Sequence, residues 1–319
     1  MDREETQRLA DEGFAELEDG NYDRVLEIAD ELEARRYSAN FELRGRALAA
    51  LGRTDEAIAT LQNGAERAPA ATSIWHWLGT LLSDVDRYDE AIAAFDSETQ
   101  HGGEASSAKL NKAIVEARRG DFKASLLLLD ERPTFEPELF AWLTYRSDAL
   151  RHLGQLEEAL AASEEALLLT SDDIDPGMAS LTQRSRIESL AGLGQVDRAQ
   201  TEALALVRLN TSDFEANELL CRLRGQPAEG LKCFNVLIKG ETIDPAFEAA
   251  YTSYLVMEED PEKTLSRIAE VEGRVLRPAS LIIEECEDVT SEPECASYKY
   301  AGVVWRYSGY IFYGEDERA

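Results

Sequence analysis

Lysine is scarce in this chain of 319 residues: only 7 of its 33 basic residues are lysine, set against 63 carboxylates. The formal net charge of -30 argues against non-specific binding to nucleic acid or anionic lipid, because phosphates are repelled unless a local basic patch intervenes. The acid excess also suits solubility at high salt. No uncharged apolar run approaches the ~18 residues that a membrane span requires, so no membrane insertion is expected. The first residues, MDREETQRLADEG, offer neither the basic nor the apolar region of a signal peptide, and the expected location is cytoplasmic.

The four cysteines (Cys221, Cys233, Cys286, Cys295) follow no zinc-binding spacing, and the nearest histidine, His152, is far upstream. Cys221 and Cys233 fit buried helical positions. Cys286 and Cys295 flank an acidic loop and could pair under oxidation, but reduced structural thiols suit the cytosolic reading. Catalytic motifs are missing as well: the chain has no H-E-x-x-H, no G-x-S-x-G and no Gly-rich phosphate loop. Its carboxylates sit where amphipathic helices would carry solvated faces. No enzyme activity, metal or cofactor is expected.

What the chain has is repetition. RYDEAIAAF at residues 87–95 echoes RTDEAIATL at 53–61 and QLEEALAAS at 155–163, with a weaker echo, DFKASLLLL, at 121–129. The residues before these echoes, Gly52, Asp86, Gly120 and Gly154, are spaced by 34. Gly194 follows after 40, the excess falling in the turn-rich SDDIDPG; Gly20 and Gly225 extend the ruler at each end. A fixed period near 34 is the mark of stacked helical hairpins. Within one unit, Trp75, Leu78, Gly79 and Leu82 make the stripe of a first helix, Asp86–Asp89 break it, and Ala91, Ile92 and Phe95 make the stripe of a second. Gly79 and Ala91 allow the two backbones to approach.

These residues resemble the tetratricopeptide repeat, with pattern W-x2-L-G-x2-Y, then A-x3-F, then P. Trp75, Leu78 and Gly79 match its first helix, with Leu82 in the tyrosine's place, and Ala91 and Phe95 match its second. Gly45, Leu48, Ala57, Leu61 and Pro69 fall at equivalent places one unit earlier, and Ala159 and Ala199 repeat the alanine later. The resemblance implies an all-α, right-handed superhelical solenoid: an array of about seven hairpins over residues 1–240, followed by a divergent 241–319 region forming a C-terminal helical cap. In that region DPAFEAAYTSYLVMEE (244–259) and DPEKTLSRIAEVEG (260–273) read as two further helices. The aromatic stretch 298–313 is compatible with a β-hairpin or a degenerate repeat helix, and its Trp305-x3-Gly309-x2-Phe312 spacing favours the helix.

The resemblance also implies a protein–protein interaction scaffold that binds a peptide or partner protein in a concave groove lined by first helices. Groove positions then include Arg46, His76, Thr80, Arg118, Asp148, Arg151, His152 and Arg184. The arginines suggest bidentate capture of an acidic peptide, while Glu42, Asp84, Asp148 and Glu188 on the same wall favour pairing within the groove. The lysine-rich clamp of family members that bind chaperone C-termini has no counterpart here. The alternative is a regulatory or assembly subunit that docks a folded partner, or forms a homodimer, through Tyr298, Tyr300, Trp305, Tyr307, Tyr310 and Tyr313.

Overall fold

The computed structural model describes residues 3–133, 136–169, 174–210, 213–225, 231–273, 275–293, 295, 304–306 and 310–313. Two compact units divide at Leu153 and Gly154. The first holds α1 (Arg3–Glu18), α2 (Tyr22–Ala34), α3 (Ala39–Ala50), α4 (Thr54–Arg67), α5 (Thr72–Asp84), α6 (Tyr88–Gln100), α7 (Ala105–Arg119), α8 (Phe122–Leu128) and α9 (Glu136–His152). The second holds α10 (Leu156–Ala166), α11 (Pro176–Gly192), α12 (Val196–Leu209) and α13 (Phe214–Leu223), then β1 (Lys232–Glu241), β2 (Ala249–Glu258), α14 (Pro261–Val271), β3 (Ile282–Asp288), β4 (Val304–Arg306) and β5 (Ile311–Tyr313). The chain is a predominantly all-α solenoid of helix-turn-helix units.

Every residue of the sequence ruler is a turn in the left-handed region: Gly20, Gly52, Asp86, Gly120, Gly154, Gly194 and Gly225 have φ between 61° and 88°. The next amide reaches back over the closing helix turn, as in Arg53 N to Leu48 O (2.8 Å), Arg87 N to Leu82 O (2.8 Å) and Gln195 N to Leu190 O (2.9 Å). This caps carbonyls that the helix end would otherwise leave unpaired.

Inside a hairpin the small residues set the spacing. A Cβ on Gly79 would lie 2.7 Å from Phe95 Cζ, and one on Gly45 would lie 2.7 Å from Leu61 Cγ. The second helix's large side chain therefore lies directly on the first helix's backbone. Phe95 and Ala91 are buried in one cluster with Ile74, Leu78 and Leu82. In the first unit successive first helices touch one another: α1 on α3, α3 on α5, α5 on α7 and α7 on α9. Among the described residues no comparable contact joins successive second helices, so the first helices form the closely spaced wall.

The C-terminal part departs from the helical cap. Residues 249–258, expected to be helical, form β2, and β1 replaces the second helix expected after Gly225. The strands order β3-β1-β2-β4, antiparallel throughout, and β5 also pairs β2. The reason lies in composition: β2 reads AAYTSYLVME, rich in β-branched and aromatic residues, and β1 buries Phe234, Val236 and Ile238 in strict alternation. Asp244-Pro245 makes a turn, Asp244 Oδ1 accepting from Ala246 N at 2.9 Å. Asp260-Pro261 starts α14 as expected, Asp260 Oδ1 accepting from Glu262 N at 2.9 Å. The described residues around Trp305 are not helical: Val304–Arg306 and Ile311–Tyr313 are strands on successive segments of β2. One core joins α11–α13, the sheet and α14, from Ile187 and Leu190 through Leu219, Val236 and Tyr254 to Leu281.

All four cysteines are free thiols. Cys221 lies in a helix, but Cys233 is in β1 rather than a helix, and both are buried beside Cys295, Leu255 and Met257. Cys286 is exposed on β3.

Candidate functional site

The first-helix wall of the first unit is built from side chains one repeat apart. Glu42 on α3 is its first node. Glu42 Oε1 accepts from Trp77 Nε1 (3.1 Å) and Arg46 Nη1 (3.2 Å), Glu42 Oε2 accepts from Ser73 Oγ (2.6 Å), and the Arg46 guanidinium lies 4.1 Å over the Trp77 ring. The cation–π contact holds Arg46 against α5, and the ion pair fixes it to Glu42 on its own helix.

His76 is the second node. Its Nδ1 lies 3.3 Å from Asn111 Nδ2 on α7 and 3.8 Å from Glu98 Oε2 on α6. Burial pushes the His76 imidazole below its usual range, opposed by Glu42 and reinforced by Arg46. Burial likewise pushes the Glu98 carboxyl up, and its Oε2 has no hydrogen-bond partner. Both groups are thus biased toward their neutral forms. Thr80 Oγ1 donates to the His76 carbonyl at 3.0 Å, which points it at its own helix.

Further along, Arg118 Nη1 on α7 reaches back to Asp84 Oδ1 (2.5 Å) and Ser83 Oγ (3.2 Å) on α5. On α9, Arg151 Nη2 lies 2.6 Å from Asp148 Oδ1 and 2.6 Å from His152 Nε2, and the His152 ring stacks on Phe122 at 3.7 Å. In the second unit Arg184 is ion-paired to Glu215, and Arg222 to Glu188. The expected groove arginines are therefore each engaged by a carboxylate, and pairing within the wall is what the geometry displays.

Trp77 and Asn111, which make these cross-helix bonds, were absent from the expected site. The signal that finds them is arithmetic: Trp77 lies 35 residues after Glu42, Asn111 lies 35 after His76, and Arg118 lies 35 after Ser83. One period plus one residue places two side chains face to face on neighbouring first helices.

The C-terminal aromatics divide differently. Tyr298, Tyr300 and Tyr307 lie outside the described residues; Trp305 and Tyr313 are placed as strand residues. Tyr310 turns inward: its hydroxyl and that of Tyr254 both donate to Glu272 Oε2, the former at 2.8 Å. Burial raises the Glu272 carboxyl, but hydrogen bonds from Tyr254, Gly273 N–H, Tyr310 and Leu276 N–H outweigh it and leave the group below the usual carboxylate range. Among the described residues no group of three or more His, Cys, Asp or Glu could hold a metal ion. No helix among them is long and apolar enough to cross a membrane.

The tetratricopeptide-repeat family model matches residues 42–98 and 76–134, which carry the wall from α3 to α7. Residues 42–134 carry tetratricopeptide repeats. A solved structure of the APC/C hetero-tetramer Cut9–Hcn1 is similar at TM-score 0.57 and 14% identity, covering 66% of this chain and 41% of that one. A tetratricopeptide repeat protein from Parabacteroides merdae is similar at TM-score 0.52 and 18% identity, covering 68% and 83%. At these identities the likeness shows the fold alone. No curated protein matches the sequence. Tetratricopeptide-repeat proteins bind protein partners and are generally non-catalytic, which makes this chain's fold that of an interaction scaffold in general terms.

Proposed function

We propose that the chain is a non-catalytic scaffold that holds an extended polypeptide along the first-helix wall of its first unit. The observation that supports this reading is the wall itself: helices α3, α5 and α7 are cross-tied at one-repeat spacing and α9 packs on α7, which leaves Trp77, Asn111, Ile114 and Tyr145 half-buried in a preformed row. A rigid surface lowers the ordering cost of binding. Arg46, Arg118 and Arg151 are already paired, so a ligand carboxylate has to displace Glu42, Asp84 or Asp148 to reach them. An acidic ligand therefore gains little, and recognition rests on the aromatic and amide surface between the pairs. His76, Thr80, Asp148 and His152 act as the framework of that surface, and Arg184 belongs to a separate stretch in the second unit.

The test is a peptide-display selection on the intact chain, followed by affinity measurements on Trp77→Ala and Asn111→Ala. Each variant is expected to weaken the selected peptides at least tenfold, about 1.4 kcal/mol, while retaining the helical circular dichroism of the parent. Folded variants that bind the peptides with unchanged affinity would remove the wall from the function.

A further inference from the structure

The connection between β1 and β2 carries an apolar tip that the fold holds out into solvent. Ile243, Pro245, Ala246 and Phe247 are all exposed there, and the Phe247 ring lies 4.7 Å from the ring of Phe312 on β5. Ile243 is 45% exposed, Phe247 40% and Phe312 39%. A floppy loop could fold such side chains inward, but this tip is pinned. Ile243 N donates to Val275 O (2.8 Å), Phe247 N to Asp244 O (3.2 Å), Ala246 N to Asp244 Oδ1 (2.9 Å), and Thr242 Oγ1 to Asp244 O (2.8 Å). A preorganised aromatic pair beside an aliphatic side chain is the composition of an interface centre.

The rim decides what covers it. Glu241, Asp244 and Glu248 surround the tip, and Arg277 has Nη1 4.0 Å from Glu241 Oε2. A second copy would set this acidic rim against itself, with a formal charge of -30 on each partner. Anionic lipid would meet the same repulsion. We infer that the Ile243–Phe247–Phe312 patch docks a partner polypeptide that presents apolar side chains flanked by arginine or lysine. The apolar centre supplies the buried contact and the rim selects the sign of the neighbours. This site lies wholly in the second unit and does not depend on the groove.

Fluorescence anisotropy of the intact chain tests it, with a labelled peptide of sequence RLWLR and its charge-reversed twin ELWLE as probes at about 0.15 M salt, where the screening length is ~8 Å. RLWLR is expected to bind at least tenfold more tightly than ELWLE. Phe247→Ser, which leaves every charge in place, is expected to weaken RLWLR about fivefold or more, and Ile243→Ser on the same patch to do likewise. Both positions are exposed, and unchanged circular dichroism checks that each variant is folded. Binding of RLWLR that ignores both substitutions would mean general attraction to an acidic surface and overturn the proposal. Equal binding of ELWLE would overturn the role of the rim. A monomer–dimer equilibrium in sedimentation that Phe247→Ser abolishes would make a second copy the occupant and overturn the choice of partner.

Discussion

Glu98 sits 7% exposed on α6, with Oε2 unpartnered and His76 Nδ1 3.8 Å away. Because burial raises its folded pKa above the unfolded value, its contribution to stability is complete below that unfolded value, about 4.3, and is lost as pH rises through the folded pKa. Glu98→Gln should therefore stabilise the protein at pH 7 by about 1 kcal/mol, and the gain should vanish near pH 4. Urea unfolding at the two pH values measures it; an equal effect at both would show that ionisation of Glu98 is not the cause. His76 bears the opposite sign: its depressed pKa makes its neutral form the stabilising one, and that contribution falls away as pH drops through the folded value. The sequence placed His76, Arg46 and Arg118 on the wall because each occupies a first-helix position. It did not reveal Glu98 behind His76, since a glutamate on a second helix reads as solvated until the packing of three helices is known.

At the level of elements, the turns were legible because left-handed backbone favours one residue type, and six of the seven turn positions are glycine. Gly52 has φ 74° and nothing near the position of a Cβ, so Gly52→Ala meets backbone strain without a clash. It should cost about 1–2 kcal/mol, read as a lower urea midpoint with an unchanged slope. No loss would mean that the turn relaxes to another conformation. The sheet was not legible for a matching reason. A strand's partners are distant in sequence, as Phe234 is from Asp288, and no period announces them. The ruler's last turn, Gly225, promised a further second helix, and the chain instead enters β1 at Lys232. Asp-Pro likewise begins a helix at 260 but a turn at 244, and the difference is made by the β-branched and aromatic residues of β2 that follow the latter.

At the scale of the molecule, the second unit's repeats and its sheet bury their apolar faces in one another. Ending the chain at Gly225 would strip β1, β2 and α14 from Leu190, Leu206, Leu219 and Leu220. Such a truncation should bind a hydrophobic dye or aggregate, whereas a soluble truncation of full helicity would show that the sheet is an appendage. The shared core also has a consequence in time. A ribosome releases α11–α13 well before β2 has left the exit tunnel, so those hairpins wait in the nascent state with one flank open. The first unit has its own clusters, around α1–α3 and α3–α7, and can close them as each hairpin emerges. Synthesis thus passes through a stage in which the first unit's clusters can already be closed while the apolar flank of α11–α13 is still open to water.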